Sequence, residues 1–303
     1  LMRERRETGK VHIGYFFMRR VLRILPVYFL AIGLMLVLAY AGIAQYKPTA
    51  FLYGTLFAFN YVPISQNLNY MSHLWSLAVE EQFYIFWPLV FSLTFTRKPL
   101  ILAFCLMIIA ACYYFMRYGY AADIVATYYT NRWTIPAIYP IMLGCVAAII
   151  HDAARPFIKT IIALLVSCSL ISLPLFLGLT ANVKIASTIG ICGLLLWVMN
   201  NQESALVRCL EARPLAYIGT ISYGIYIWQG IFTGNGDYRA VPTWPPDVWT
   251  GALIAFVVAP LSFHFFERPI SAFGKRFRYH MRLQTDDAVH APVTSTAEVK
   301  FPT

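Results

Sequence analysis

Charge is scarce in this sequence. Asp, Glu, Lys and Arg supply 13% of its 303 residues, about half the share of an ordinary soluble domain, which excludes a soluble globular protein and, with it, an intrinsically disordered one. Cysteine is sparse and unpatterned. Cys105, Cys112, Cys145, Cys168, Cys192 and Cys209 lie in or beside apolar runs without a CxxC spacing, so neither a disulfide framework nor a metal site is expected. There is no internal repeat and no low-complexity tract, and coiled coil and collagen are excluded. The opening stretch, LMRERRETGK, is basic and polar and lacks the charged-then-apolar build of a secretory leader; it reads as an internal start.

What the chain has in excess is apolar surface: 59% of its residues are hydrophobic and mean hydropathy is +0.61. One bilayer crossing consumes about 20 apolar residues, so the composition predicts an all-α, polytopic transmembrane helix bundle of about eight spans. Uninterrupted runs occupy residues 24–43, 74–95, 100–118, 133–150, 215–232 and 248–266. Two more fall between 157 and 199, where Pro174, Asn182 and Lys184 force a tight turn. Residues 51–62 are too few for a span and suit a re-entrant or interfacial segment.

Charge decides that segment. If it does not cross, Lys47, Arg117, Arg132, Lys184 and Arg239 lie on one side and the remaining 19 of the 24 cations on the other. If it crosses, the cations divide almost evenly. The positive-inside rule selects the first arrangement, a plasma-membrane protein with both termini cytoplasmic. The net charge of +10 then reports topology, and no nucleic-acid partner is expected. Residues 1–269 form the membrane domain, and 270–303 a basic, then polar, cytoplasmic tail.

A charged side chain at the centre of a span costs about 2.5 to 3.5 kcal/mol on insertion scales, so ionisable residues there are functional candidates. Within HLWSLAVEEQFYIFWPL, Glu80 and Glu81 are the acidic residues set well inside a predicted span. Helical spacing places His73, Ser76, Glu80, Tyr84 and Trp87 on one face, with Glu81 about a quarter turn away. A hydroxyl, an imidazole and a carboxylate can thus point into one cavity, with Trp75, Ser76 and Tyr84 as candidate substrate contacts. The alternative is that the carboxylates satisfy a neighbouring helix and the aromatics form an interfacial belt. Arg20 and Arg23, at the cytoplasmic mouth of the first span, can share a face and suit a phosphate, although the positive-inside rule also places cations there. Arg132 either meets Glu80 or Glu81 or snorkels to the interface. Tyr223, in the stripe Ser222, Tyr223, Tyr226 and Gln229, is a further candidate contact, the alternative being helix glue.

Taken in order, RRVLRILPVYF, HLWSLAVEEQFYIFWPLVF, NRWTIPAIYPIMLGCVAA, LAYIGTISYGIYIWQ and FFERPI resemble the membrane-embedded acyltransferase type 3 family, from about Leu1 to Pro269. The resemblance implies a ten-helix protein that takes an acyl group, commonly acetyl, from cytoplasmic acyl-CoA and delivers it to a hydroxyl of a surface polysaccharide or lipid-linked sugar. Acyl-CoA is then a co-substrate and no bound cofactor is implied. The family's first two helices, which carry an Arg and a His held to be catalytic, would lie upstream of Leu1, so the chain is expected to be a fragment or a truncated relative. Carried over position by position, the R-x-x-R motif falls on Arg20 and Arg23 as acyl-CoA phosphate contacts. The E-E-Q-F-Y block falls on Glu80 to Tyr84, and the Arg preceding the small-residue helix on Arg132. Relatives often have His where this chain has Gln229. Acyl transfer needs a base, oxyanion donors and a dry site; His73 or Glu80 is the local candidate for base or orienting partner, and Arg132 is grouped with them. The competing readings are a transporter or flippase that uses the acidic pair, and an inactive relative.

Overall fold

The structure is a computed structural model, and it describes residues 13–94, 97–118, 130–178, 180–233 and 247–272. Arg3, Arg5, Arg6, Lys10, Arg239 and nearly all of the expected 270–303 tail lie outside them. The described residues begin with α1 (Ile13–Tyr40) and α2 (Pro48–Thr55), followed by single 3-10 turns at Phe59–Tyr61, Ile64–Gln66 and Asn69–Met71. Next come α3 (Leu74–Thr94), α4 (Lys98–Tyr118), the one-turn α5 (Thr134–Ala137) and α6 (Tyr139–Ile158). The remaining helices are α7 (Ile161–Leu177), α8 (Ala181–Asn200), α9 (Ala205–Leu210), α10 (Arg213–Thr233) and α11 (Val248–Ser262). The last of these runs on through a π-helical turn, Phe263–Glu267, to residue 272.

Eight of these helices match the eight expected spans, and the chain is an all-α bundle. Among the described residues, α1, α4, α6, α8 and α11 with its extension are long and apolar enough to cross a bilayer, and α7 is a shorter apolar helix. The 21-residue α3 and α10 have the length of a crossing and carry the polar side chains. The apolar exterior is what lipid requires: Leu175, Phe176, Trp249 and Phe265 are each at least 79% exposed, an arrangement water would not tolerate over so much surface.

Two boundaries differ from expectation for identifiable reasons. Helix α1 is already formed at Ile13, eleven residues before the apolar run at 24, because the basic stretch around Arg19, Arg20 and Arg23 has good helix formers on both sides. The expected span at 133–150 is broken at Ile138 into α5 and α6, since Pro136 and Pro140 each remove a backbone donor. Residues 51–62 become the eight-residue α2 and a 3-10 turn, about 12 Å of helix at 1.5 Å per residue, which cannot cross.

Two packing centres position the site. One gathers Tyr28, Met35, Met71, Leu74, Ile227, Ile231 and Ala255, joining α1, α3, α10 and α11. The other joins α3, α4 and α6 through Phe83, Phe91, Ile101, Cys105 and Met142. The α7–α8 hairpin packs beside them with a closer approach. A Cβ on Gly190 would stand 2.7 Å from the Ser167 carbonyl oxygen and 2.8 Å from the Leu170 Cβ. Gly190→Ala is therefore expected to cost about 1 to 3 kcal/mol, the range for overpacking, and to lower the thermal midpoint in detergent by several degrees. Gly219→Ala, where a Cβ meets nothing within 4 Å, is the matched control.

Candidate functional site

Helix α3 has one long face turned toward α1 and α10, and the expected residues fall along it in two groups. The first stands at its N-terminal end. Tyr226 of α10 shares a 2.5 Å hydrogen bond with the Ser76 hydroxyl and donates to the backbone carbonyl of His73, fastening α10 to the start of α3. The His73 ring lies edge-on to Tyr226, with centroids 5.6 Å apart. It rests against Gly230, where any Cβ would run into the imidazole. Neither ring nitrogen has a hydrogen-bond partner of ordinary geometry among the described residues.

Burial pushes the His73 imidazole down to about 4, against a weaker opposing pull from the Ile227 carbonyl, so the ring is neutral at physiological pH. An unfolded chain takes up this proton from its ordinary value near 6.5 downward, and the folded one does not. Stability present above pH 6.5 is thus expected to fall progressively toward pH 4, by about 1.4 kcal/mol for each unit of separation. His73→Gln should flatten that part of the stability profile, measured by thermal unfolding in detergent across the same pH window.

Arg132 belongs with this end. It is 5% exposed, donates to the Ser72 hydroxyl at 3.0 Å and stands 6.0 Å from the Trp75 ring centre. It is therefore buried against the start of α3, in contact with Ser72 and Trp75, and does not snorkel.

The second group lies about two turns further along α3. Glu80 accepts a hydrogen bond from the Tyr84 hydroxyl, one turn on. The Arg20 guanidinium from α1 is stacked 3.8 Å from the Tyr84 ring centre, and its charge also acts on Glu81. Glu81 faces the space between α1 and α10, close enough to interact with Tyr28 and Tyr223, and its Oε1 is buried without a hydrogen-bond partner among the described residues. Tyr223 donates to the Ile24 carbonyl at 2.9 Å, which ties α10 to α1 across this group. Arg20 and Arg23 part company: Arg20 is half-buried against α3, while Arg23 is exposed and its charge acts on Glu267. Glu267, in the π-helical turn of α11, accepts from Ser262 at 3.4 Å.

Several polar residues with structural importance escaped the sequence reading. Gln82 turns to the opposite side of α3, donating to the Phe57 carbonyl at 2.9 Å and to Asn60 at 3.1 Å and accepting from Thr134. It locks α3 to the 51–62 segment and to α5, which explains why that segment stays at the bundle's end. Its adjacency to two glutamates hid this role, because helical period alone does not say which neighbour lies on each side.

A cleft of about 450 Å³ opens beside the second group, between α1, α3, α4 and α6. Phe83, Trp87 and Phe91 of α3, with Ile101 and Ile149, give it an apolar wall; Arg20, Tyr84 and Lys98 are its polar members. Sequence reasoning used Lys98 only as a topological cation. The cleft reaches from the basic end of the bundle to Tyr84, which holds Glu80. It can therefore admit an anionic, partly apolar molecule to the edge of the carboxylate pair.

Comparison with known proteins bears on this arrangement. Residues 9–265 match the family described as Acyltransferase domain. The chain is 30% identical over 226 residues to the peptidoglycan O-acetyltransferase OatA of Listeria monocytogenes, covering 67% of this chain and 36% of that protein. It is 27% identical to the putative peptidoglycan O-acetyltransferase YrhL of Bacillus subtilis, over 68% of this chain and 35% of the relative. It is 25% identical to the O-acetyltransferase OatA of Staphylococcus aureus, over 90% of this chain and 50% of the relative. The chain thus spans half or less of the length of these curated relatives. No solved structure matches it.

Proposed function

The chain belongs to the acyltransferase domain family, and from that premise we propose that it transfers an acyl group, acetyl in the first instance, from cytoplasmic acyl-CoA to a hydroxyl of a surface glycan of the peptidoglycan kind. The observation that carries the proposal is that Arg20 and Tyr84 belong at once to the basic-end cleft and to the carboxylate pair. A coenzyme whose phosphates meet Arg20 and Lys98 can extend its apolar arm along Phe83, Trp87 and Phe91. Its thioester then arrives beside Tyr84, which holds Glu80, with Glu81 on the adjoining face of α3 toward α10, within a helix bundle that excludes water.

In the reaction, the acceptor oxygen attacks the thioester carbonyl carbon, the carbon–sulfur bond breaks, and coenzyme A leaves as its thiol. The acceptor proton must pass to a base and on to the departing sulfur. Glu81 is the proposed base, because its Oε1 is already desolvated and unpartnered. Glu80 is the proposed positioning residue, held by Tyr84. His73 fits the base role less well, since its ring is packed shut against Gly230. Trp75, Ser76 and Arg132 shape the route from the other end of α3, and Tyr223 lies beside Glu81.

The test uses the full-length protein in sealed membranes supplied with acetyl-CoA labelled in the acetyl group. Label recovered as an alkali-labile ester on the glycan supports the proposal. Solute movement across the membrane with no labelled ester would overturn it in favour of transport.

A further inference from the structure

Arg117 and Lys184 belong to the end of the bundle where the charge count leaves few cations, so their meeting there asks for a reason. Arg117 lies in the last turn of α4 and Lys184 in the first turn of α8. With Asn131, Thr180 and Asn182 they line one cavity of about 440 Å³, beside which the Tyr113 hydroxyl of α4 donates to the Asn182 Oδ1 of α8 at 2.8 Å. Two like charges drawn into one cavity repel each other unless an anion joins them. Among the described residues no carboxylate lines the cavity, and neither cation makes an ion pair; Arg117 has only the Tyr118 ring, 5.5 Å from its guanidinium.

The remaining groups are donors. The Asn182 Oδ1 is already engaged, which leaves its amide hydrogens to donate. The Thr180 hydroxyl caps α8 by accepting from the Val183 amide at 3.4 Å and keeps its own hydrogen, while the first backbone N–H groups of a helix have no partner within it. Two cations, a side-chain amide, a hydroxyl and a helix start together suit an anion with several acceptor oxygens, which is the chemistry of a phosphate.

The surroundings choose its source. At 1.5 Å per residue Arg117 stands about 28 Å along α4 from Lys98, close to the ~30 Å thickness of a bilayer's hydrocarbon core, so the cavity lies at headgroup depth. Just before Thr180 in the chain, Leu175, Phe176 and Leu177 at the end of α7 are all exposed and offer the apolar surface that acyl chains cover. A free phosphate would use the charges alone, whereas a lipid uses both.

We propose that this cavity binds the phosphodiester of an anionic glycerophospholipid through Arg117 and Lys184, with the acyl chains of the lipid against the end of α7. The assignment stands apart from acyl transfer and is tested by binding. The full-length protein in detergent is titrated with phosphatidylglycerol and, separately, with phosphatidylcholine of identical acyl chains, and bound lipid is counted by native mass spectrometry. Both lipids carry the phosphate, so the difference reads net negative charge. Phosphatidylglycerol is expected to bind about 10-fold more tightly, as two cations near the headgroup dictate. Arg117→Gln and Lys184→Gln should each remove much of that preference and together abolish it, while Lys184→Arg retains it. Arg155→Gln, at the other end of the bundle, where Arg155 is exposed, should leave it unchanged.

Equal binding of the two lipids, a preference that survives the double Gln variant, or one that falls as far in Arg155→Gln would overturn the site. Displacement of phosphatidylglycerol by excess inorganic phosphate would overturn the lipid as its occupant in favour of the free anion.

Discussion

Arg20→Ala is expected to lower acyl transfer at least 100-fold and to destabilise the protein, and a second substitution, Glu80→Gln, is expected to restore much of the stability. The reason is the company Arg20 keeps. Its guanidinium lies 3.8 Å from the Tyr84 ring centre, Tyr84 holds Glu80, and the same charge acts on Glu81. Removing the guanidinium takes away a cation–π contact worth about 0.5 to 2 kcal/mol and leaves the half-buried carboxylates without a neighbouring cation. The paired substitution separates this from a simple packing loss, because removing the opposite charge lifts the penalty only if the two interact. Arg20→Lys should recover the charge but only part of the activity, since an ammonium does not stack on the phenol ring as a planar guanidinium does. The measurement is a double-mutant cycle on thermal unfolding in detergent, run alongside transfer assays on the same membranes. Additive effects of Arg20→Ala and Glu80→Gln would show that the clasp carries no energy.

Glu81→Gln separates stability from activity in the opposite direction. Glu81 Oε1 is buried with no hydrogen-bond partner among the described residues, and its carboxylate neighbours Glu80. Neutralising it removes a desolvated charge, so the variant is expected to unfold at the same or a higher temperature. Transfer should nonetheless fall at least 100-fold, equivalent to about 2.7 kcal/mol of transition-state stabilisation, because Gln cannot accept the acceptor's proton. A variant that keeps full transfer would overturn the proposed base. One that loses both stability and activity would identify Glu81 as a structural partner. Gly230→Ala, which drives a Cβ into the His73 ring, is the useful contrast, since it should lose stability first and activity only as a consequence.

The glutamate pair was readable because a carboxylate in an apolar run is costly enough to stand out from its neighbours. The same logic picked out Arg132, but not its partner. From spacing alone Arg132 could have met Glu80 or Glu81; the structure buries it against Ser72 and Trp75, because the 130–138 segment packs beside the start of α3. Gln82 shows the complementary limit. It sits next to Glu81 in the chain, yet a 100° step per residue turns it toward Asn60 and Thr134, where it ties elements together.

The sequence by itself determined the solvent, the helical class, the places of the apolar helices and the residues too expensive to be there by accident. Those follow from composition and from local period, which act within one helix at a time. Only the tertiary structure decided which helix each polar face meets. Arg20 lies against Tyr84 while Arg23 is drawn to Glu267, and Lys98 and Arg117, ends of one helix, open onto two separate cavities. These pairings depend on how side chains from distant segments interlock at close contact, a many-body packing problem whose answer no single span contains.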